Sequence, residues 1–344
     1  PNPNNHLFRS GALDIIGFNY HDDWFAGVPV NFPGKPFIVT ESVSGLMTRG
    51  YYRMPSDSMF IWPERWDKPF YDASFSCSSY DNCHVPWGNR HEGTMRHVKN
   101  NDFISGQYVW TGFDYIGEPT PYGWPARSSY FGIIGFPKDV YYMYQSEWRP
   151  DKAVLHLFPH WNWTEGQDID LWAYYNNADE VELFVNGKSQ GVRSKGKDDF
   201  HVMWRVKYEP GTVKAVSRKE GKTVAEQEIR TAGEPAQIRL SPDRSTIQAD
   251  GKDLSFITVE ILDKDGNLCP NAENDVTFAV EGAGFIAGVD NGSPISMEKF
   301  KDNHRKAFYG KCLVVLQNNG EPGGVKVTAT ADGLEKATTA IKVK

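Results

Sequence analysis

Apolar residues in the first 150 positions of the chain gather in near-continuous runs that end on polar side chains. The three clearest runs are LDIIGFNYH, KPFIVTES and FISGQYVWTGFDY. Runs without alternation between apolar and polar residues are typical of parallel strands that are covered on both faces. We therefore predict three such strands in this part of the chain.

The segments around these runs have helical patterns. HEGTMRHVKNND places Met95 and Val98 on one helical face, ahead of an Asn-Asn pair that suits a helix end. In GFPKDVYYMYQSEW, Pro137 is predicted to lie in a first helical turn. WFAGVPVNFPG is rich in Pro and Gly and is long enough only for a short crossover helix. Strands that alternate with helices predict a parallel α/β sheet.

Beyond residue 150 apolar and polar positions alternate, as in half-buried strands. Examples are DIDLWAYYNN, EVELFVNGKSQG and HVMWRVKY, and VNGK is a hairpin turn signal. The pattern predicts a β-sandwich over residues 151–232, a linker at AGEP, and an immunoglobulin-like sandwich over residues 233–344. We expect residues 151–344 to fold independently of the first 150.

Composition and charge exclude several classes of function. The 344 residues carry a net charge of -7, so we expect no nucleic-acid partner. No run of 18 apolar residues occurs, so we expect no membrane span. The four cysteines lack zinc-ligand spacing, and no metal or other cofactor is expected. They are interpreted as thiols, with a Cys77–Cys83 disulfide as the alternative in an oxidising compartment.

The predicted strands end on side chains that suit a sugar. These side chains are Asn19, Tyr20, His21, Thr40, Glu41, Trp110 and Asp114. In parallel α/β barrels the C-terminal ends of the strands carry the functional residues. Aromatic rings stack on the apolar face of a pyranose, while amides and carboxylates bond its hydroxyls. On the pattern alone, a rim carboxylate paired with Arg or Lys explains Glu41 about as well.

A resemblance to a known family favours the sugar site. FIVTES, YVWTGFDYIGEPTPYGWPARSSYFGI and GFPKDVYYMYQSEW resemble the C-terminal half of the catalytic barrel of glycoside hydrolase family 2, of the β-galactosidase type found in gut Bacteroidetes. NNADEVELFVNGKSQG resembles the sandwich that follows that barrel, and the last hundred residues resemble a bacterial immunoglobulin-like domain. The resemblance implies a multidomain chain. Residues 1–150 would be the C-terminal part of a (β/α)8 TIM barrel, strands six to eight, followed by the two all-β sandwich domains.

The resemblance also implies roles for individual residues. Glu41, at the end of the seventh barrel strand, matches the nucleophile. Tyr20, at the end of the sixth, matches a tyrosine that hydrogen-bonds the nucleophile and keeps it ionised. Trp110, at the end of the eighth, matches the floor of the sugar subsite. Asn19 and Asp114 are further candidates for contacts to the sugar.

The remaining polar residues of this region have structural alternatives. For Asp114 and Glu118, a pairing with Arg127 or with a backbone amide explains the carboxylate at least as well as a sugar contact. We expect surface or packing roles for His21, Arg65 and His91.

One catalytic group is missing from the chain. A retaining glycosidase needs two carboxyl groups about 5–5.5 Å apart, and Glu41 supplies one. The family's acid/base follows an Asn at the end of the fourth strand, and this chain has no Asn-Glu dipeptide. Because the chain starts at Pro1, we expect it to be the C-terminal portion of a longer periplasmic or secreted protein. Alone it should be inactive, and it should either associate with the N-terminal half or form homo-oligomers.

The expected substrate is a terminal β-galactoside of an oligosaccharide or polysaccharide. The first 150 residues contain no Asn-x-Lys motif of the sort that glucuronidases use to hold the sugar carboxylate. Relatives carry a few more residues, one of them acidic, where Ile134 here runs directly into Gly135, so sugar contacts in that loop are expected to differ. Two alternatives remain: a non-catalytic carbohydrate-binding or cell-surface module, and a family 2 enzyme for mannose or another hexose.

Overall fold

The computed structural model of the chain describes residues 5–62, 74, 76–115 and 135–344. Strands make up most of their regular secondary structure, and the chain divides into two compact units. The first unit comprises Pro1–Pro159, Gln167–Lys207 and Lys214–Glu228; the second comprises His160–Gly166, Tyr208–Val213 and Ile229–Lys344. None of the described helices combines the length and the apolar character needed to cross a membrane.

The first unit begins with an α/β region. Its elements in chain order are α1 (His6–Arg9), β1 (Ile16–Asn19), a 3-10 helix (Asp22–Gly27), α2 (Val28–Asn31), β2 (Phe37–Val43), β3 (Phe60–Ile61), β4 (Cys83–His84), α3 (His91–Lys99), β5 (Ile104–Trp110) and α4 (Asp139–Trp148). Strands β1, β2 and β5 pair in parallel in that order, which confirms the predicted parallel sheet. The 3-10 helix and α2 form the short crossover that the Pro- and Gly-rich segment predicts.

The two faces of this parallel sheet differ in burial. On one face Phe37 and Val39 are fully buried against aromatic side chains of the crossover. On the opposite face Ile38 is half-buried and Thr40 is exposed. Within the described residues, the prediction that both faces are covered is therefore wrong for the second face.

The helices of this region start and end close to the predicted positions. Helix α3 ends at Lys99 with Asn100 as its cap, as the Asn-Asn pair predicts. The prediction for Pro137 is wrong, because α4 begins at Asp139 and Lys138 before it is extended. The buried ammonium group of Lys138 donates to the Met47 carbonyl at 2.8 Å. Lys138 therefore contacts the segment that follows β2, where Met47 lies, and precedes the first turn of α4.

The first β-sandwich has two sheets, and its strands lie mainly in the first unit. They are β6 (Leu155–Phe158), β7 (Asp168–Tyr175), β8 (Glu180–Val185), β9 (Lys188–Arg193), β10 (His201–Lys207), β11 (Thr212–Lys219) and β12 (Lys222–Arg230). The sheet orders are β10-β7-β6 and β12-β11-β8-β9. Asn186 and Gly187 both have positive φ and close the predicted β8–β9 hairpin.

A hydrophobic cluster joins the α/β region to this first sandwich. It combines Met95 of α3 and Met143 of α4 with Trp172 and Tyr174 of β7. Seven of the eight residues of β7 are buried, so both faces of the strand are covered. The structure therefore differs from the expectation that residue 150 begins an independent folding unit.

Polar contacts cross the same boundary. The backbone amide of Ser56 donates to Asp170 Oδ2 at 2.6 Å, and the Tyr80 hydroxyl donates to the Asp170 carbonyl. Arg205 Nε donates to Asp170 Oδ1 at 2.6 Å. The buried Asp170 carboxylate thus holds a loop of the α/β region and a strand of the sandwich together.

The second unit contains the second β-sandwich. Its strands are β13 (Gln237–Pro242), β14 (Thr246–Ile247), β15 (Leu254–Leu262), β16 (Asp275–Gly282), β17 (Gly284–Asp290), β18 (His304–Lys306), β19 (Lys311–Asn318), β20 (Gly323–Thr330) and β21 (Ala337–Val343). They form the sheets β13-β15-β19-β17 and β14-β21-β20-β16-β18. One cluster of mostly aliphatic side chains draws on both sheets, so this unit has its own core.

Candidate active site

Glu41 lies near the C-terminal end of β2, on the central strand of the parallel sheet. It stands opposite Asn19 of β1, where the strand register shifts. Asn19 Nδ2 donates to Glu41 Oε2 at 3.4 Å, and Thr40 Oγ1 donates to Asn19 Oδ1 at 2.7 Å. The hydroxyl of Thr40 therefore fixes the amide orientation that presents an N–H to the Glu41 carboxylate.

Tyr20 lies beside the same carboxylate. Its backbone amide donates to the Glu41 carbonyl at 2.6 Å, and its hydroxyl is 2.9 Å from Ser44 Oγ. Burial raises the pKa of the Tyr20 phenol well above its ordinary value, and the Glu41 carboxylate adds to that increase. The phenol accordingly stays protonated at neutral pH and serves as a donor next to Glu41.

The backbone adopts a rare conformation at the ends of both strands. Tyr20 and His21 follow β1 with φ of 57° and 59°. Val43, the last residue of β2, and Ser44 after it have φ of 74° and 56°. Left-handed conformations are costly for residues with a side chain, above all for a β-branched one. Strain of this kind clusters at functional sites, where the surrounding structure imposes it.

Trp110 gives the site an aromatic surface. It ends β5 in register with Val43 of β2, and the peptide bond to Thr111 is cis. Its side chain is 38% exposed, and its ring meets Tyr115 edge-on at 6.1 Å. An exposed indole beside a strand-end carboxylate is suited to stacking against a pyranose.

Asp114 is held in an ion pair. Its Oδ1 accepts from Lys138 Nζ at 2.8 Å, and the Lys138 side chain is only 1% exposed. Arg127, one of the partners weighed from the sequence, lies outside the described residues, as do Arg65, Glu118 and Ile134. In the described structure the carboxylate of Asp114 neutralises a buried cation.

The two histidines considered from the sequence occupy different environments. His21 Nδ1 lies 3.0 Å from the Asn19 carbonyl, and its ring contacts Trp24. His91 is fully buried, and its Nδ1 lies 3.0 Å from the Tyr144 hydroxyl. Burial lowers the pKa of His91 to about 3, with a further contribution from the charge of Lys138. His91 is therefore a neutral packing residue at physiological pH.

Two residues that contribute to the site were missed from the sequence. Ser44 meets the Tyr20 hydroxyl, and Lys138 pairs with Asp114. The signal for Ser44 was present in the polar end of TESVS. Lys138 had no comparable signal, because it is 24 residues from Asp114 in the chain.

No group of metal ligands surrounds Glu41 in the described part of the chain. The one cluster of three ligand-type side chains found there is Asp275, Glu298 and His304, in the second unit. Cys77 and Cys83 are buried thiols. The chemistry available at Glu41 is that of a hydrogen-bonded carboxylate beside an aromatic surface.

Comparisons with known proteins agree along the whole chain. Residues 238–340 match the glycoside hydrolase family 2 C-terminal domain 5, and residues 166–225 match a domain of unknown function, DUF4982. The chain is 71% identical to the β-galactosidase BoGH2A of Bacteroides ovatus, over 100% of this chain and 41% of that protein. It is 33% identical to a putative β-glucuronidase of Formosa agariphila, over 94% of this chain and 34% of that protein.

A solved structure gives the same result. The crystal structure of a β-glycosidase from Bacteroides vulgatus matches with a TM-score of 0.86 at 31% identity, over 96% of this chain and 45% of that chain. This chain thus spans less than half the length of each of these proteins. These similarities confirm the resemblance: the chain is a relative of glycoside hydrolase family 2 proteins and corresponds along its whole length to their C-terminal portion.

Proposed function

We propose that this chain carries the nucleophile of a retaining, exo-acting glycoside hydrolase that removes terminal β-galactosyl residues. The observation that supports this most directly is the Glu41 carboxylate. It lies near the C-terminal end of a parallel strand, accepts from Asn19 and lies beside the protonated phenol of Tyr20. A carboxylate that attacks an anomeric carbon must stay ionised and correctly oriented. Neighbouring hydrogen-bond donors serve both needs.

In this proposal, β1, β2 and β5 are strands six to eight of a (β/α)8 barrel. The exposed face around Thr40 is the face that the other strands would cover, since barrel interiors are filled with side chains. The acid/base carboxyl group would come from an upstream portion of the protein, in agreement with the partial coverage of the relatives. Trp110 would form the floor on which the sugar ring stacks, and Asn19 would contact its hydroxyls.

The nucleophile assignment is tested by Glu41→Gln in the full-length protein. Turnover of an aryl β-galactoside should fall by several orders of magnitude, because the amide cannot attack while the size of the side chain is kept. A 2-deoxy-2-fluoro galactoside should label Glu41 in the wild type, and peptide mapping would locate the label.

Asp23→Asn is the matched control, since it removes a carboxylate charge from the 3-10 helix that follows β1. It should leave turnover within about twofold of wild type, because Asp23 is outside the proposed machinery. If Glu41→Gln kept more than about a tenth of wild-type activity, the nucleophile would have to lie elsewhere.

The sugar is tested by a panel of aryl glycosides. Relatives bear the names β-galactosidase and β-glucuronidase, so the two sugars are the competing substrates. The first 150 residues lack an Asn-x-Lys motif, and the chain's one such triplet, Asn186–Lys188, lies at the β8–β9 hairpin. Burying a sugar carboxylate without a cation is costly, so the galactoside should be cleaved much faster than the glucuronide. Faster cleavage of the glucuronide would reverse the assignment.

A further inference from the structure

A pocket of about 440 Å³ lies in the first unit between α3 and the strands β9 and β10. Small-molecule sites occupy about 300–1,000 Å³. The charged residues that line it are Arg90, Glu92, Arg96, Arg193, Asp199 and His201. Its lining shares no residue with the site around Glu41. Much of it belongs to the segment that matches only a domain of unknown function.

The three arginines of this pocket have donors to offer a ligand. Arg96 Nε donates to the Asp198 carbonyl at 3.1 Å, which leaves the two terminal amino groups of its guanidinium to donate to a ligand. The guanidinium of Arg193 lies 5.8 Å from the centre of the Trp204 ring. Within the described ranges, neither Arg90 nor Arg193 has a side-chain hydrogen bond or ion pair. Burial raises the pKa of the Asp81 carboxyl group, and the charge of Arg90 acts on the same group to lower it.

The two carboxylates in the lining are already engaged. Glu92 is 2% exposed, and its Oε1 lies 2.6 Å from His201 Nδ1. The His201 ring is stacked on Trp172 at 3.5 Å, which fixes its position. Asp199 Oδ2 accepts from the Gly196 amide at 2.8 Å. By formal charge the three arginines outnumber these two carboxylates by one, so the lining is cationic in a chain whose net charge is -7.

We propose that this pocket binds an anionic group of a saccharide, either a carboxylate or a sulfate ester, at a site separate from Glu41. Guanidinium groups present planar forks of N–H donors that match such oxyanions. An anchor of this kind would hold a charged polysaccharide while a terminal residue occupies the active site. The saccharide part of the proposal rests on the proposed function, whereas the anion part rests on the arginines alone.

The proposal is tested by calorimetry on the full-length protein carrying Glu41→Gln, so that no ligand is hydrolysed. The probes are trigalacturonic acid, galactose 6-sulfate, inorganic sulfate and neutral galactotriose. A charged saccharide should bind, and Arg90→Gln or Arg193→Gln should weaken its binding about tenfold or more, since each removes a charge-assisted hydrogen bond. Lys188→Gln is the matched control, because it removes the same charge from β9 outside the pocket.

Each outcome decides one part of the proposal. The proposed anion site would be rejected if the Arg193→Gln variant and its parent bound the charged saccharides with equal affinity. It would also be rejected if the parent bound neither trigalacturonic acid nor galactose 6-sulfate. If inorganic sulfate bound as tightly as galactose 6-sulfate, the pocket would be a site for anions in general, and the saccharide part of the proposal would be rejected. Binding that persists in a protein whose wild type cleaves no glycoside would reject the proposed function without rejecting the pocket.

Discussion

The two β-sandwiches of this chain show similar alternating sequence patterns, yet they obtain their cores differently. The second sandwich fills a core of Val, Ile, Leu and Ala side chains from both of its sheets, with Phe278 as the aromatic member. In the first sandwich, β7 also turns Trp172 and Tyr174 toward helices α3 and α4. The change near residue 150 from continuous to alternating apolar residues therefore marks a change from α/β to β structure, but it does not mark the start of an independently folding unit. The second sandwich is such a unit because its own two sheets cover its apolar side chains.

Among the substitutions that test this difference between the two cores, loss of the Trp172 side chain should change the free energy of unfolding most. Trp172 is 3% exposed, and its Nε1 donates to Ser56 Oγ at 2.9 Å. Trp172→Ala should lower the free energy of unfolding of the first unit by about 4 kcal/mol, from lost burial and the cavity it leaves. Differential scanning calorimetry should show the transition of the first unit shifting while that of the second stays in place.

Phe278→Ala is the matched variant in the second unit. Phe278 is 2% exposed in the aliphatic cluster, so its truncation should cost a similar amount and shift the other transition. A single transition that responds equally to Trp172→Ala and Phe278→Ala would contradict the division into two units.

Removal of the Asp170 charge should have an intermediate effect. The buried carboxylate accepts from Arg205 and from the Ser56 amide. Asp170→Asn should destabilise the first unit by about 2 kcal/mol, because charge-assisted hydrogen bonds are weakened where water cannot replace them. Urea unfolding of the chain gives this value from the midpoint and slope.

Asp168→Asn serves as the control on the same strand. Asp168 pairs with Lys207 at 2.9 Å, and both side chains are more than half exposed. An exposed pair contributes little, so this variant should cost about 0.5 kcal/mol or less. Equal losses from the two substitutions would show that Asp170 does not join the α/β region to the sandwich.

The sequence was sufficient to predict the strands and helices, but not the hydrophobic core that the α/β region shares with the first sandwich. Continuous apolar runs predict β1, β2 and β5, because parallel strands have a characteristic composition. Alternation in DIDLWAYY predicts β7 equally well whether Trp172 and Tyr174 face solvent or another region. Only the tertiary structure shows that α3 and α4 cover them.

The candidate site likewise has residues that the sequence predicts and a contact that it does not. Glu41, Asn19 and Tyr20 follow from their positions at strand ends, since neighbouring parallel strands bring those ends together. Roles for these residues came from the resemblance and remain proposals. The pairing of Asp114 with Lys138 could not be predicted, because it depends on how the loop before α4 returns to the sheet.

The smallest predicted effects concern the pH dependence of stability and come from two histidines. As pH falls, His91 should destabilise the first unit and His304 should stabilise the second. Burial and the Lys138 charge lower the pKa of His91 to about 3, so below pH 6.5 the unfolded chain takes up a proton that the folded chain refuses. The hydrogen bond to Asp275 raises the pKa of the partly exposed His304. Its contribution to stability is fully present below pH 6.5 and is lost as pH rises through the folded-state pKa.

These signs can be measured by urea unfolding at several pH values. His91→Gln keeps a polar group near the Tyr144 hydroxyl but removes the titration. The stability advantage of the wild-type first unit over this variant should shrink by about 1 kcal/mol between pH 7 and pH 5.5, since one pKa unit corresponds to about 1.4 kcal/mol. For His304→Gln, the wild-type advantage in the second unit should instead grow slightly as pH falls from 8 to 6. An advantage over His91→Gln that stays constant with pH would mean that His91 takes up protons equally in the folded and unfolded chain, which its burial argues against.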